Sequence, residues 1–314
     1  MTTDQPVALV VGASRGIGRS TCLDLAAHGY DVAVASRTGV DGPPDLGTVR
    51  EVVSSIEARG RRGLGIALDA HEPDDMLRGV AQTLDEFGRI DVLVISANHI
   101  DFTPGGSYTS EFVNMRWDAI EAHIRLVGLG HLRLIHSVLP TMISQRSGLV
   151  VNITQNQKST RRAPRLPMML EPPLMERLTE AVYRHPGEGH GAAMVPIARG
   201  LTERIAPALY RELLPHNIAV VTLDPSMTLS NPDPAYFAEA ERAGFDPSTA
   251  HSVAVPARAI TYLATCHNPL VFSGQFILAE DLVRSFGLMT EDEIYCGPGH
   301  FDEVASLPPL NVVV

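Results

Sequence analysis

Apolar residues recur along this chain in short blocks separated by amphipathic stretches, and the alternation predicts strands and helices in turn. Residues 7–11 form an apolar run that ends in Gly12-Ala-Ser-Arg-Gly-Ile-Gly18 and opens into an amphipathic stretch over 19–28, which reads as strand, turn and helix. A second strand is expected at 31–35, a polar, Pro-containing loop around 39–47, and a helix over 49–59. Further strands are expected at 65–69 and 91–96, with a helix between them that ends near Phe87. A long helix over 110–145, broken or bent, leads to a strand at 148–153. A helix over 196–214, a strand at 218–223 and a strand at 271–278 complete the pattern. Strands alternating with helices at this spacing imply βαβ units. The fold class is therefore α/β: a doubly wound, mostly parallel sheet with helices on both faces.

One stretch breaks the pattern. Residues 156–194 hold arginines at 161, 162, 165 and 177, prolines at 164, 167, 172, 173 and 186, and the run Met168-Met-Leu170. So many prolines exclude one regular helix, although a short helix fits 174–183. The segment is expected to be an insertion, a lid or an interface, within a single domain over 1–288, with residues 289–314 as a C-terminal arm.

Composition narrows the function. The chain has 314 residues, of which 45% are hydrophobic and 19% charged, enough to bury a sizeable core. A formal net charge of -11 argues against nucleic acid or an anionic membrane as the main partner and favours a small-molecule substrate. Cys22, Cys266 and Cys296 lack the spacing of a metal site or a disulfide framework, so free thiols and no bound metal are expected. No uninterrupted apolar stretch of about 18 residues and no leader-like N-terminus is seen, which makes the cytoplasm the expected location.

The glycine turn carries the first specific chemistry. Gly12, Gly16 and Gly18 let backbone N–H groups approach a phosphate, while the N-terminus of the following helix adds positive partial charge. Spaced glycines are common in turns, but here the flanking strand and helix are both present, so the unit is expected to bind a dinucleotide. The residue after the second strand discriminates between cofactors, because an acid there accepts bonds from a ribose 2′-hydroxyl and an arginine suits a 2′-phosphate. This chain has Ser36-Arg37, and Arg15 in the turn can reach the same phosphate. NADP(H) is the expected cofactor, with NAD(H) as the alternative.

With these residues the sequence resembles the short-chain dehydrogenase/reductase superfamily over most of 5–280. Gly12-Ala-Ser-Arg-Gly-Ile-Gly18 is similar to its Thr-Gly-x-x-x-Gly-x-Gly fingerprint, with Val11 for Thr. The resemblance implies cofactor contacts from Gly12, Ser14, Arg15, Gly16, Ile17 and Gly18. It also implies Ser36 and Arg37 at the ribose, Asp69 at the adenine amino group, and Ala70 beside the ring. Ala97 is kept from the family's Asn-Asn-Ala-Gly segment, and Pro225 begins its Pro-Gly motif, with Ser226 for Gly. The family's paired helices correspond to about 110–139 and 196–214, so a homo-oligomer, dimer or tetramer, is expected.

The catalytic residues of the family do not carry over. Counting back from Glu212 puts its lysine position at Arg199 and its tyrosine position, one turn earlier, at Val195. The serine position falls at Gln155, and the helical asparagine at Ile124 or Arg125. A valine cannot supply the proton that accompanies hydride transfer. Arg199 can hold the nicotinamide ribose and Gln155 can donate to a substrate oxygen, yet neither titrates near neutral pH. Tyr183, in the insertion, is the leading relocated proton donor, and His190 is a weaker one. The expected function is an NADP(H)-dependent oxidoreductase acting on a carbonyl or alcohol, with a bulky apolar substrate suggested by Met168-Met-Leu170 and Leu174-Met175. Two alternatives stay open: a cofactor-binding regulatory or structural protein without redox turnover, and a non-redox lyase, isomerase or cyclase on the same fold.

Overall fold

The computed structural model describes residues 4–37, 48–98, 103–107, 110–154, 194–225, 228 and 250–295, without the side chains of 195, 196 and 199. Seven strands form one sheet in the order β3-β2-β1-β4-β5-β6-β7. They are β1 (Val7–Val11), β2 (Asp31–Ser36), β3 (Gly63–Ala67), β4 (Val92–Ile95), β5 (Gly148–Ile153), β6 (Ile218–Asp224) and β7 (Phe276–Leu278). Every pairing is parallel. A parallel sheet needs cover on both faces, and its strands read as almost unbroken apolar runs for that reason.

Alternation along each strand divides the core in two. Ala8 and Val10 of β1, Val32 and Val34 of β2, and Val92 and Val94 of β4 point to one side. There they meet α1 (Gly16–Ala27), α2 (Val49–Glu57), α7 (Ala254–Thr265) and α8 (Ala279–Ser285). Val7, Leu9 and Val11 of β1, with Leu93 and Ile95 of β4, point to the other side, against α3 (Pro73–Phe87), α5 (His131–Gln145) and α6 (Met194–Leu213). Each fully buried Leu, Ile or Phe in these layers contributes roughly 1.5–3 kcal/mol, so the two layers are the main source of stability.

The expected break in the 110–145 helix has a definite form. A 3-10 turn at Phe112–Asn114 precedes α4 (Trp117–Ile124), and a π-helical stretch, Arg125–Gly130, joins α4 to α5. The resulting run Trp117–Gln145 is long and apolar enough, by length and composition, to cross a membrane, but half of its most apolar window is buried inside the protein. Leu126, Val127, Leu134, Ile135 and Val138 are part of the core on the α3 side, which accounts for the apolar composition.

Several boundaries differ from the sequence pattern. The strand expected at 65–69 is Gly63–Ala67, because pairing begins with Gly63 opposite Val32, and Asp69 is left beyond the strand end. The strand expected at 271–278 shortens to Phe276–Leu278. Asn268 caps a 3-10 turn at Pro269–Phe272, and Gly274 turns the chain at positive φ before β7 begins. Helices α7, α8 and α9 (Glu291–Ile294) are not foreseen by the pattern. Met289 and Ile294 belong to the core on the α1 side.

Candidate functional site

In open parallel sheets a ligand crevice forms at the carboxyl ends of the strands where the order reverses, here between β1 and β4. The glycine turn closes this point. Gly12 has φ of 84°, and its N–H donates to the Ala35 carbonyl at 2.8 Å. A Cβ at Gly12 would lie 2.7 Å from the Ala97 nitrogen, and one at Gly18 would overlap the Gly12 carbonyl. No other residue allows β1, β4 and α1 to approach so closely.

The N-terminus of α1 faces this crevice with free donors. Its first intrahelical bond runs from Arg19 N to the Arg15 carbonyl at 3.2 Å, so the N–H groups of Gly16, Ile17 and Gly18 precede the helical ladder. No acidic residue occupies the first turn. These donors and the helix dipole suit an anion such as a dinucleotide pyrophosphate.

Around this cradle lie the other residues expected from the sequence. Ser36, buried at the end of β2, donates from its hydroxyl to the Ser14 hydroxyl at 3.0 Å, tying β2 to the glycine turn. Arg37 follows it and is exposed, and Arg15 is half-buried. Asp69 lies just past β3. It accepts bonds from the His71 backbone N–H at 2.9 Å and from the His71 ring at 2.8 Å. Burial opposes its ionisation, but these two bonds and the charges of His71 and Arg37 prevail and hold the carboxyl below the usual range. Ala70 is buried next to it, and Pro225 is buried directly after β6.

Ala97 lies two residues past β4 and is part of a second polar array. Its carbonyl accepts from His131 Nε2 at 3.0 Å, and His131 Nδ1 lies 2.5 Å from Asn152 Oδ1 on β5. Asn152 Nδ2 donates to the Thr202 carbonyl on α6 at 3.0 Å, which also accepts from the Thr222 hydroxyl of β6 at 3.2 Å. The hydroxyls of Thr154 and Thr202 share a bond of 2.6 Å. Thus β4, β5, β6, α5 and α6 are joined at the carboxyl end of the sheet.

The expected cofactor-binding residues from 12 to 97 and Pro225 all cluster at this end. Positions 195 and 199 lie one turn apart on α6, position 199 about one turn before Thr202, and the side chains of both are outside the described residues. Gln155, Tyr183 and His190 also lie outside them. Among the described residues no group of His, Cys, Asp or Glu could hold a metal. His71 and the His131 array are not foreseen from the sequence. For His71 a signal existed, its place two residues after Asp69; for His131 the signal was a histidine on the apolar stripe of a helix.

The residues present fit a dinucleotide: a cradle that only glycine permits, N–H donors that precede the helical ladder, and arginines at 15 and 37. Comparison with known proteins agrees. The family model described as short chain dehydrogenase matches residues 6–163, half of the chain. The 3-oxoacyl-[acyl-carrier-protein] reductase of Staphylococcus epidermidis is 34% identical over 148 residues, 47% of this chain and 55% of the relative. That of Synechocystis sp. is 35% identical over 151 residues, again 47% of this chain and 55% of the relative. The chain thus matches about half the length of these curated relatives. Among solved structures, a putative dehydrogenase from Xanthomonas campestris superposes with a TM-score of 0.70 at 20% identity, covering 98% of this chain and 97% of its own. NAD+-bound xylitol dehydrogenase gives 0.65 at 17% identity, covering 87% and 96%. A metagenomic short-chain oxidoreductase in complex with NADP gives 0.60 at 21% identity, covering 87% and 94%. These likenesses carry the fold, and with the matched family model they lead to one conclusion: the chain belongs to the short-chain dehydrogenase family.

Proposed function

We propose that the protein is an NADP(H)-dependent oxidoreductase acting on a carbonyl or alcohol of a small-molecule substrate, working as a homo-oligomer in the cytoplasm. The observation that carries the cofactor choice is the end of β2. Ser36 turns inward to Ser14, neither position 36 nor position 37 is the acid that would accept a ribose 2′-hydroxyl, and Arg37 is exposed, with Arg15 in the adjoining turn. In this reading Arg15 and Arg37 bind the 2′-phosphate, the α1 N-terminus binds the pyrophosphate, and Asp69 accepts from the adenine amino group. Ala70 lies beside the ring, Arg199 holds the nicotinamide ribose, and Ala97 and Pro225 border the pocket.

The nicotinamide, when bound, supplies hydride transfer, and the chain must supply the accompanying proton. Val195 and Arg199 cannot do so, and Tyr183 in the insertion is assigned the task, with Gln155 donating to the substrate oxygen. The relatives named as reductases of 3-oxoacyl groups favour a carbonyl substrate, and the apolar residues 168–170 and 174–175 favour a bulky one. A second reading has its own observation. Tyrosine and lysine are both absent from α6 at the positions where the family resemblance would put them, as expected of a cofactor-binding protein without turnover or of a non-redox enzyme.

Fluorescence titration with NADPH and NADH, followed by assay of NADPH oxidation against ketones, aldehydes and enones, separates these readings. Tight NADPH binding with turnover that Tyr183→Phe abolishes is the expected result. Tight binding without turnover on any carbonyl would favour the second reading, and no binding of either nucleotide would overturn both.

A further inference from the structure

His131 opens α5 at a fully buried position, 1% exposed, where the apolar stripe of the helix calls for a hydrocarbon side chain. A buried imidazole needs partners for both nitrogens. Its Nε2 faces the Ala97 carbonyl and its Nδ1 faces the Asn152 amide. The orientation of that amide is set on its far side. The Thr202 carbonyl can only accept, so the NH2 group of Asn152 must point there and the amide oxygen must face the ring. Both ring nitrogens therefore meet atoms that can only accept. A neutral imidazole carries one N–H, and would leave lone pairs facing each other at 2.5 or 3.0 Å; the imidazolium satisfies both contacts.

We propose that His131 is a positioning residue whose second proton completes this array, fixes the Ala97 carbonyl just past the end of β4, and thereby couples cofactor affinity to pH. The coupling rests on the nicotinamide reading of the site, because Ala97 borders Gly12 in the cradle. Burial pushes the ring below the usual histidine range and outweighs the bonds to Asn152 and Ala97, so these two contacts are what favours the second proton. Among the described residues no full charge joins it. Arg125, Arg133 and His136 on the same helical run are exposed. His123, buried on that run, faces the Ser107 hydroxyl; across Gly130, whose neighbour is the Ala70 carbonyl, Asp69 and His71 bond each other; and among the described side chains the array meets α6 through Asn152 of β5, which donates to the Thr202 carbonyl.

The sign follows from linkage. If the closed array binds cofactor better, affinity is full at pH values below the ring's pKa and falls as pH rises through it; equally, bound cofactor raises that pKa. Two measurements on the full chain test this. The ring charge is read by nitrogen-15 NMR of the His131 imidazole from about pH 5 to 9, with and without NADPH, the signal being assigned by its loss in His131→Gln. Both nitrogens protonated at the acid end, with the titration moved upward by NADPH, is the expected result.

In parallel, NADPH affinity of the wild type should fall relative to His131→Gln by up to about ten-fold for each pH unit over which the ring titrates. The 2′-phosphate titrates in both proteins and cancels in this ratio. A ring that stays neutral throughout overturns the proposal, even where the variant fails to fold. Binding with an unmoved ring titration overturns the coupling alone, and no NADPH binding at any pH overturns the cofactor reading together with it.

Discussion

Arg37 shows how much one exposed side chain is asked to decide. The residue before it, Ser36, bonds Ser14, and Asp69, a carboxylate whose ionised form Arg37 helps to stabilise, is engaged by His71. Arg37 is thus the basic group available to a 2′-phosphate beside the strand end, with Arg15 across the turn. A charge-assisted bond of this kind contributes about 1.5–3 kcal/mol. Arg37→Asp is therefore expected to weaken NADPH roughly ten- to hundred-fold while leaving NADH unchanged or tighter, read as the ratio of the two dissociation constants; an unchanged ratio would remove Arg37 from the phosphate site. This part of the site is legible in sequence because Gly12 to Gly18 and Ser36-Arg37 act through local geometry. His131 is not, since its partners stand 21 and 34 positions away and no short-range pattern announces them.

At the scale of elements, α1 and α7 are joined by a buried ion pair. Arg258 of α7 and Asp24 of α1 approach to 3.4 Å with both side chains 1% exposed. Burial raises the Asp24 carboxyl, against the pull of Arg258 and His28, and lowers the Arg258 guanidinium, so each charge is tolerated through the other. The same burial hid α7 from the sequence pattern. Nine of its 12 residues are buried, including Arg258, so no polar face marks a helical period. Strands β1, apolar throughout, and β5, apolar but for Asn152, match their expected spans instead. Removing one partner takes the facing counter-charge from a buried group, whereas removing both leaves a hydrocarbon contact. Asp24→Leu is expected to lose about 3–5 kcal/mol in urea unfolding, and Asp24→Leu with Arg258→Met to recover most of it. A double variant as unstable as the single one would show that the pair contributes specific attraction beyond mutual neutralisation.

The whole molecule carries one feature that its core does not explain. Leu129 at the π-helical stretch, Leu132 on α5, and Ile197 and Leu201 on α6 are 64%, 45%, 45% and 42% exposed. The two helical segments adjoin, for a Cβ on Gly128 would lie 3.1 Å from a Leu201 methyl. Apolar side chains in one exposed band cost solubility in a monomer, and these helices are the ones that the family resemblance pairs across a dimer. A twofold axis sets such a band against its own copy, so a charge placed there meets the same charge. Leu129→Arg combined with Leu201→Arg is expected to convert a sedimenting dimer or tetramer into a smaller species. The dissociation constant should rise at least about a hundred-fold, the equivalent of roughly 3 kcal/mol. Circular dichroism and NADPH titration of the same variant report whether the subunit itself stays folded. If it does and sedimentation is unchanged, assembly uses another face, and the band on α5 and α6 must be covered by something other than a second copy of this chain.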